Sequence, residues 1–146
     1  MPPGRLIGIN HVALEVGDLE EALALYGRLF SFELRGRAPG SAFIDIGDQF
    51  LAISEGRAQG PDDTRHFGLV VDDKEAVRAA VQAEGLPLVG LGHRLDFLDP
   101  WGNRIEVVAY ADIQFERVAP VKRKLGIEDL GKTEKARNEI AERGLA

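Results

Sequence analysis

The chain contains no cysteine among its 146 residues, which excludes a disulfide framework and any chemistry that depends on a thiolate. It also contains no apolar run near the roughly 20 residues that a membrane-spanning helix requires. No apolar segment of the signal-peptide type follows the first residues, Met-Pro-Pro-Gly-Arg. We therefore expect a cytoplasmic protein without a membrane partner.

Basic side chains are in the minority, with 18 Lys and Arg against 24 Asp and Glu and a formal net charge of -6. A protein that binds the phosphates of nucleic acid needs the opposite balance, so we expect no nucleic-acid partner. Hydrophobic residues make up 45% of the chain, which is enough for one compact core. We expect one domain over residues 1–111.

An internal duplication organises this domain. The segment HVALEVGD, which starts at His11, matches HFGLVVDD, which starts at His66, at the His, Leu, Val and Asp positions. Each copy is a short apolar run that ends in an aspartate at the N-cap position of a helical pattern. The turn glycines Gly47 and Gly102 lie at the same distance after the two histidines. The chain therefore contains two tandem modules.

Hydrophobic periodicity predicts the order β-α-β-β-β in both modules, and hence an α+β fold. Module one spans residues 5–55 and module two spans residues 65–111. In module one we predict strands over 7–16, 32–37, 42–46 and 49–54 and a helix from Asp18 through Phe30. In module two we predict strands over 66–71, 94–98 and 104–110, a weak strand near Leu88 and a helix over 74–84.

Residues 112–146 fall outside the duplication, and we predict that they form a C-terminal helical extension. Residues 132–143 form helix readily, but the segment has few apolar positions. Such a helix is unstable alone, so we expect the extension to dock on the body, on a second subunit or across the mouth of the site.

Two histidines and one carboxylate are the candidate metal ligands. Strand alternation places His11, His66 and Glu106 on the sheet face that points away from the helices. A histidine on a strand is usually a packing or surface residue, but two at equivalent positions of a duplication favour a ligand role. Two imidazoles and one carboxylate suit Fe, Mn, Zn or Ni as a divalent ion and leave coordination positions open. We predict one divalent metal ion.

The segment FLDPWGNRIE, which ends at Glu106, follows two β-α-β-β-β modules that each open on a histidine. This combination resembles the vicinal oxygen chelate superfamily, which includes glyoxalase I, extradiol dioxygenases, and fosfomycin and bleomycin resistance proteins. The resemblance covers about residues 5 to 111. It implies that the modules pair their sheets into a cup with a metal ion at its floor, held by His11, His66 and Glu106. We also expect a homodimer.

The chain departs from the superfamily pattern at two places. The first-module carboxylate of glyoxalase I is missing, because Ala52, or less favourably Leu51, falls opposite Glu106 when the modules are aligned. A three-ligand site matches the fosfomycin resistance and dioxygenase branches better than glyoxalase I. The hydroxyl side chains of the fosfomycin group are also replaced, here by Arg94 and Asp96.

These features together predict a metal-dependent enzyme, of lyase, transferase or dioxygenase type, whose small-molecule substrate binds the ion through neighbouring oxygens. Arg94 and Asp96 are the candidate catalytic residues, with a simple ion pair between them as the equally weighted alternative. Phe43, Phe50 and Ala52 are the candidate lining of the substrate pocket. The alternative function is metal-free binding of a small molecule, as in bleomycin resistance, since the acidic body suits a cationic drug.

Overall fold

The structure, a computed structural model that describes residues 2–146, contains seven strands in two sheets and four α-helices over that range. The elements are β1 (His11–Val16), α1 (Leu19–Leu29), β2 (Glu33–Ala38), β3 (Ser41–Ile46), β4 (Gln49–Glu55), β5 (Phe67–Val71), α2 (Lys74–Ala83), β6 (Leu95–Leu98), β7 (Arg104–Ala109), α3 (Ala119–Leu125) and α4 (Glu134–Glu142). Over the described range, no helix has the length and apolar character needed to cross a bilayer.

The two sheets repeat one topology. The first has the order β1-β4-β3-β2 and the second the order β5-β7-β6, and in each sheet the opening strand runs parallel to the last strand of its module. The remaining strand of module two is reduced to an isolated bridge between Leu88 and Phe97. Pro87, which has no N–H to donate, limits pairing there. The predicted α+β fold and its weak strand near Leu88 are confirmed.

One predicted boundary is wrong. The sequence predicts a strand over residues 7–16, but β1 begins only at His11. Residues 2–10 are exposed and form no regular element, and they pair with no strand of the described chain. Periodicity alone predicts where a strand is favoured, whereas a ladder also needs a neighbour with free backbone groups.

Both module helices begin at the predicted aspartates. Asp18 accepts a hydrogen bond from the backbone N–H of Glu21 at 2.8 Å, and Asp73 accepts one from that of Ala76 at 3.0 Å. α2 is closed by Gly85, whose φ of 68° is the left-handed conformation that favours glycine. The apolar faces of both helices and the helix-facing sides of both sheets form one hydrophobic cluster.

A buried hydrogen-bond network links the two modules. Asp99 of module two accepts a hydrogen bond from the Tyr26 hydroxyl of module one at 2.9 Å and another from Asn103 Nδ2 at 2.8 Å. Burial, followed by the nearby Asp99 carboxylate, raises the pKa of Tyr26 well above its usual value, so its hydroxyl keeps its proton. Trp101 covers Gly17 so closely that an added Cβ there would lie 2.6 Å from its indole nitrogen. The modules therefore pack through their helix faces.

The C-terminal extension docks on the body, which is one of the three arrangements expected from the sequence. Val121 of α3 packs on Gly47, where an added Cβ would lie 2.8 Å from Val121 Cγ1. Arg117 donates a hydrogen bond to the Ile46 carbonyl at 3.0 Å. The Lys132 ammonium lies 3.6 Å from the centre of the Tyr110 ring, and burial lowers its pKa. Hydrogen bonds, a cation–π contact and a few apolar contacts thus hold the extension, whose helices are too short to be stable alone.

We predict that deletion of residues 113–146 leaves a body that still melts cooperatively, because the shared core lies outside the extension. The lost contacts at Gly47 and Tyr110 should lower Tm by roughly 5–15 °C in circular dichroism, which corresponds to about 2–4 kcal/mol. Leu145→Ser, at an exposed position of the extension, should leave Tm unchanged. Loss of cooperative melting in the truncated chain would place the extension within the core.

Candidate functional site

His66 and Glu106 meet on the open face of the second sheet. Glu106 lies in the middle of β7, directly opposite Gly68 of β5 and Asp96 of β6. His66 immediately precedes β5, and its Nε2 lies 3.5 Å from Glu106 Oε1. Because Gly68 has no side chain, nothing on β5 stands over the carboxylate.

Each histidine has its tautomer fixed by an acceptor on Nδ1. His66 Nδ1 lies 2.8 Å from the Thr64 carbonyl oxygen, and His11 Nδ1 lies 2.7 Å from Asn10 Oδ1. Both partners are oxygens that only accept, so in the neutral form of each ring the proton lies on Nδ1 and the lone pair on Nε2. Metal-ligating histidines are oriented by bonds of this kind. Both imidazoles therefore present Nε2 as a donor atom.

The donor set at His66 and Glu106 fits a divalent metal ion. The Nε2 lone pair and the carboxylate oxygen repel one another unless the imidazole is protonated or a cation lies between them. Two ligand atoms that bind one ion tetrahedrally at about 2.1 Å lie about 3.4 Å from each other. The observed separation of 3.5 Å is close to that value.

Three further charged side chains surround Glu106. Asp96 is fully buried and accepts hydrogen bonds from Arg94 Nη2 at 2.8 Å and from Arg104 Nε at 3.1 Å. Arg94 Nη2 also lies 3.3 Å from Glu106 Oε1. The hydrogen bond with Asp96, followed by the charges of Asp96 and Glu106, raises the pKa of Arg94. The ion pair weighed as an alternative from the sequence is therefore present, and the catalytic roles of Arg94 and Asp96 stay predictions.

The open face of the first sheet holds the predicted pocket residues around His11. The His11 ring stacks on Phe50 with the ring centres 4.7 Å apart, and Phe43 meets Phe50 edge-on at 5.9 Å. Phe43 pairs with Ala52 across β3 and β4. The guanidinium of Arg35 lies 4.9 Å from the centre of the Phe50 ring. This face therefore combines one imidazole with an apolar floor.

The strand register places Ala52 at the position equivalent to Glu106. Ala13 lies two residues after His11 and pairs with Ala52. Gly68 lies two residues after His66 and pairs with Glu106. Leu51, the less favoured alternative, is buried in the hydrophobic cluster on the other face. Glu55 is not available as a ligand, because its Oε1 accepts a hydrogen bond from the Leu19 N–H at 3.0 Å.

The structure divides the predicted residues between two clusters. The first-module half-site consists of His11, Phe43, Phe50 and Ala52, and the second-module half-site consists of His66, Arg94, Asp96 and Glu106. Among residues 2–146, no three His, Cys, Asp or Glu side chains come together in a way that would hold a metal ion. His11 therefore does not join His66 and Glu106 within one chain, because the modules pack through their helix faces.

Sequence reasoning missed two arginines, Arg104 and Arg35. Arg104 precedes Glu106 by two residues, so strand alternation places both side chains on one face. That signal was available in the sequence. Arg35 reaches Phe50 from β2 at a register irregularity between Leu34 and Gly36, which no sequence pattern shows.

The comparisons with known proteins identify the family. A family model described as the Glyoxalase/Bleomycin resistance protein/Dioxygenase superfamily matches residues 8–107. Glutathione transferase FosA from Serratia marcescens is 26% identical over 113 residues, which cover 70% of this chain and 80% of that protein. The chain therefore belongs to this superfamily.

Two solved structures share the fold. The fosfomycin resistance protein FosX from Mesorhizobium loti superposes with a TM-score of 0.60 at 21% identity, over 70% of this chain and 91% of its own. FosX from Listeria monocytogenes, solved with Mn(II) and sulfate, superposes with a TM-score of 0.62 at 20% identity, over 72% and 93% of the two chains.

Because Asp96 is buried and Arg94 is not, substitutions at these two residues should lower the free energy of unfolding by different amounts. Asp96→Ala should reduce the free energy of unfolding by about 3 kcal/mol, because it leaves the partly buried Arg104 without its ion pair. Arg94→Gln should cost less than about 1 kcal/mol, since Arg94 is half-exposed. Urea denaturation measures both values. Equal losses would show that Asp96 does not anchor this cluster.

Proposed function

We propose that the protein is a metal-dependent enzyme whose small-molecule substrate binds a divalent ion through neighbouring oxygens. The observation that carries the proposal is the pair of lone-pair donors His66 Nε2 and Glu106 Oε1, 3.5 Å apart on one open face. Membership of the superfamily, the FosX structure with Mn(II) and the similarity to a glutathione transferase support it. The donor set suits Fe, Mn, Zn or Ni.

The third ligand in this proposal is His11 of a second copy of the chain. Within one chain His11 lies in the first-module half-site, which carries one imidazole and an apolar floor. Glu55, the carboxylate opposite β1, is already engaged by the Leu19 N–H. The second-module half-site carries the other imidazole, the carboxylate and the arginines. A twofold dimer that lays each first-module half-site over its partner's second-module half-site forms two equal cups, each with all three ligands.

The chain's own residues have distinct roles in such a cup. A bound ion supplies Lewis-acid polarisation of substrate oxygens. Asp96 holds the Arg94 guanidinium, whose remaining N–H groups donate to a negatively charged oxygen of the substrate. Phe43 and Phe50 exclude water and pack against the carbon skeleton. Ala52 supplies neither a ligand nor a base, which disfavours the isomerisation of glyoxalase I.

A mixed dimer tests whether the site is shared. Co-expressed His11→Ala and Glu106→Gln chains form a dimer in which one site keeps all three ligands and the other loses two. We expect about half of the wild-type Mn(II) content in this mixed dimer and none in either variant homodimer, as measured by calorimetry or elemental analysis.

The matched control is a mixed dimer of His66→Ala and Glu106→Gln chains, in which neither site is complete. Equal Mn(II) content in the two mixed dimers would place the complete site within one chain. A wild-type protein that binds no divalent ion, and that takes up a cationic drug equally with and without chelator, would instead support the metal-free alternative.

The register of Ala52 predicts a gain of affinity. Ala52→Glu should add a fourth protein ligand and slow the loss of Mn(II) to a chelator by at least tenfold. Ser54→Glu is the matched control, because it introduces the same side chain on the same face about 7 Å further along β4. Chelator kinetics that are the same for both variants would contradict the placement of Ala52.

A further inference from the structure

The segment between the two modules is held against the turn that precedes β7. Residues 57–65, which we call the linker loop, lie between β4 and β5. The Asp62 N–H donates a hydrogen bond to the Gly102 carbonyl at 2.8 Å. Pro61 packs on Gly102 so closely that an added Cβ there would lie 2.6 Å from Pro61 Cα. The linker loop is therefore packed on module two and is not a free connection.

The Asp62 carboxylate is the centre of the contacts that hold this loop. Its side chain is 11% exposed and accepts hydrogen bonds from Arg65 Nη2 at 2.8 Å and from the Arg104 backbone N–H at 3.4 Å. The Arg57 guanidinium, which is buried, lies 3.4 Å from the same carboxylate. Burial favours the neutral acid, but these hydrogen bonds and the charges of Arg65 and Arg57 lower the pKa of Asp62 on balance. Asp62 therefore stays ionised and binds both arginines.

Two backbone carbonyls of the linker loop contact side chains at the second-module half-site. The Thr64 carbonyl oxygen lies 2.8 Å from His66 Nδ1. The Asp63 carbonyl accepts a hydrogen bond from Arg104 Nη1 at 2.8 Å. The loop backbone therefore supplies the acceptor that orients the imidazole and one of the acceptors that hold the guanidinium.

The ion pair between Asp62 and Arg65 spans these two carbonyls. Asp62 precedes them in the chain and Arg65 follows them, and the two side chains meet at 2.8 Å. Arg104, which the loop holds at Nη1, donates from Nε to the buried Asp96 carboxylate at 3.1 Å. The loop thus reaches the half-site from two sides, at His66 directly and at Asp96 through Arg104.

We propose that Asp62 is a positioning residue, whose carboxylate holds the linker loop so that His66 keeps the Nδ1–H tautomer and presents its Nε2 lone pair beside Glu106. This inference rests on the proposed function, in which that lone pair binds the ion, and it adds a residue outside both half-sites. Without the Asp62 charge, the Thr64 carbonyl is no longer held against Nδ1. The proton then redistributes between the two ring nitrogens, and part of the population presents an N–H where the ion needs a lone pair.

The tautomer of His66 in the metal-free protein tests the proposal. Asp62→Asn keeps the size of the side chain but removes its charge and one acceptor oxygen. In ¹⁵N NMR at about pH 8.5, where an ordinary imidazole is neutral, this variant should raise the ratio of Nε2–H to Nδ1–H in His66 by about threefold to tenfold. His11, whose Nδ1 contacts Asn10, is the internal reference and should not change. Val81→Ala, which destabilises the buried core outside the loop, is the matched control for lost stability and should leave the ratio unchanged.

Arg65→Gln is a second variant that keeps the fold, because the Arg65 side chain is 67% exposed. It should move the tautomer ratio in the same direction, and Asp62→Asn should weaken Mn(II) binding about tenfold in calorimetry, as loss of an outer-shell contact does. A His66 ratio in Asp62→Asn that equals the ratio in Val81→Ala would overturn the proposal, whatever stability is lost. If the ratio shifts as expected while the wild-type protein binds no divalent ion, the positioning of His66 stands and the proposed function fails.

Discussion

The arrangement of both half-sites depends on the hydrogen bonds that the buried Asp99 carboxylate accepts from both modules. It joins the Tyr26 hydroxyl of the first module to the turn that precedes β7, and in that turn Asn103 Nδ2 donates to the Glu15 carbonyl of β1 at 2.8 Å. One network therefore fixes the strand that carries His11 and the strand that carries Glu106. Because Tyr26 lies on α1, the same network also ties the first-module helix to module two.

Duplication followed by divergence gives the two open faces different chemistry. The strand register makes Ala52 the counterpart of Glu106, so this position is apolar in module one and carries a carboxylate in module two. In the second module, Asp96 is buried between Arg94 and Arg104. Both guanidinium groups are thus held in place by the same carboxylate.

The separation of the half-sites explains why a single chain looks incomplete. The proposed metal-ligand set is divided between the two half-sites, and within residues 2–146 β5 is an edge strand of its sheet. In the proposed dimer, a second copy of the same chain completes the ligand set at both sites.

The sequence by itself determined the element order and the aspartate caps, and it narrowed the counterpart of Glu106 to Ala52 or Leu51, because alternation, capping and repeat spacing are local properties. The strand register of the structure then selected Ala52. Only the tertiary structure decided which faces of the modules pack together, and therefore that His11 does not join His66 and Glu106 within one chain. It also decided that the first strand begins at His11 and that Arg104 anchors Asp96. These outcomes depend on partners distant in sequence, whose positions a local pattern does not encode.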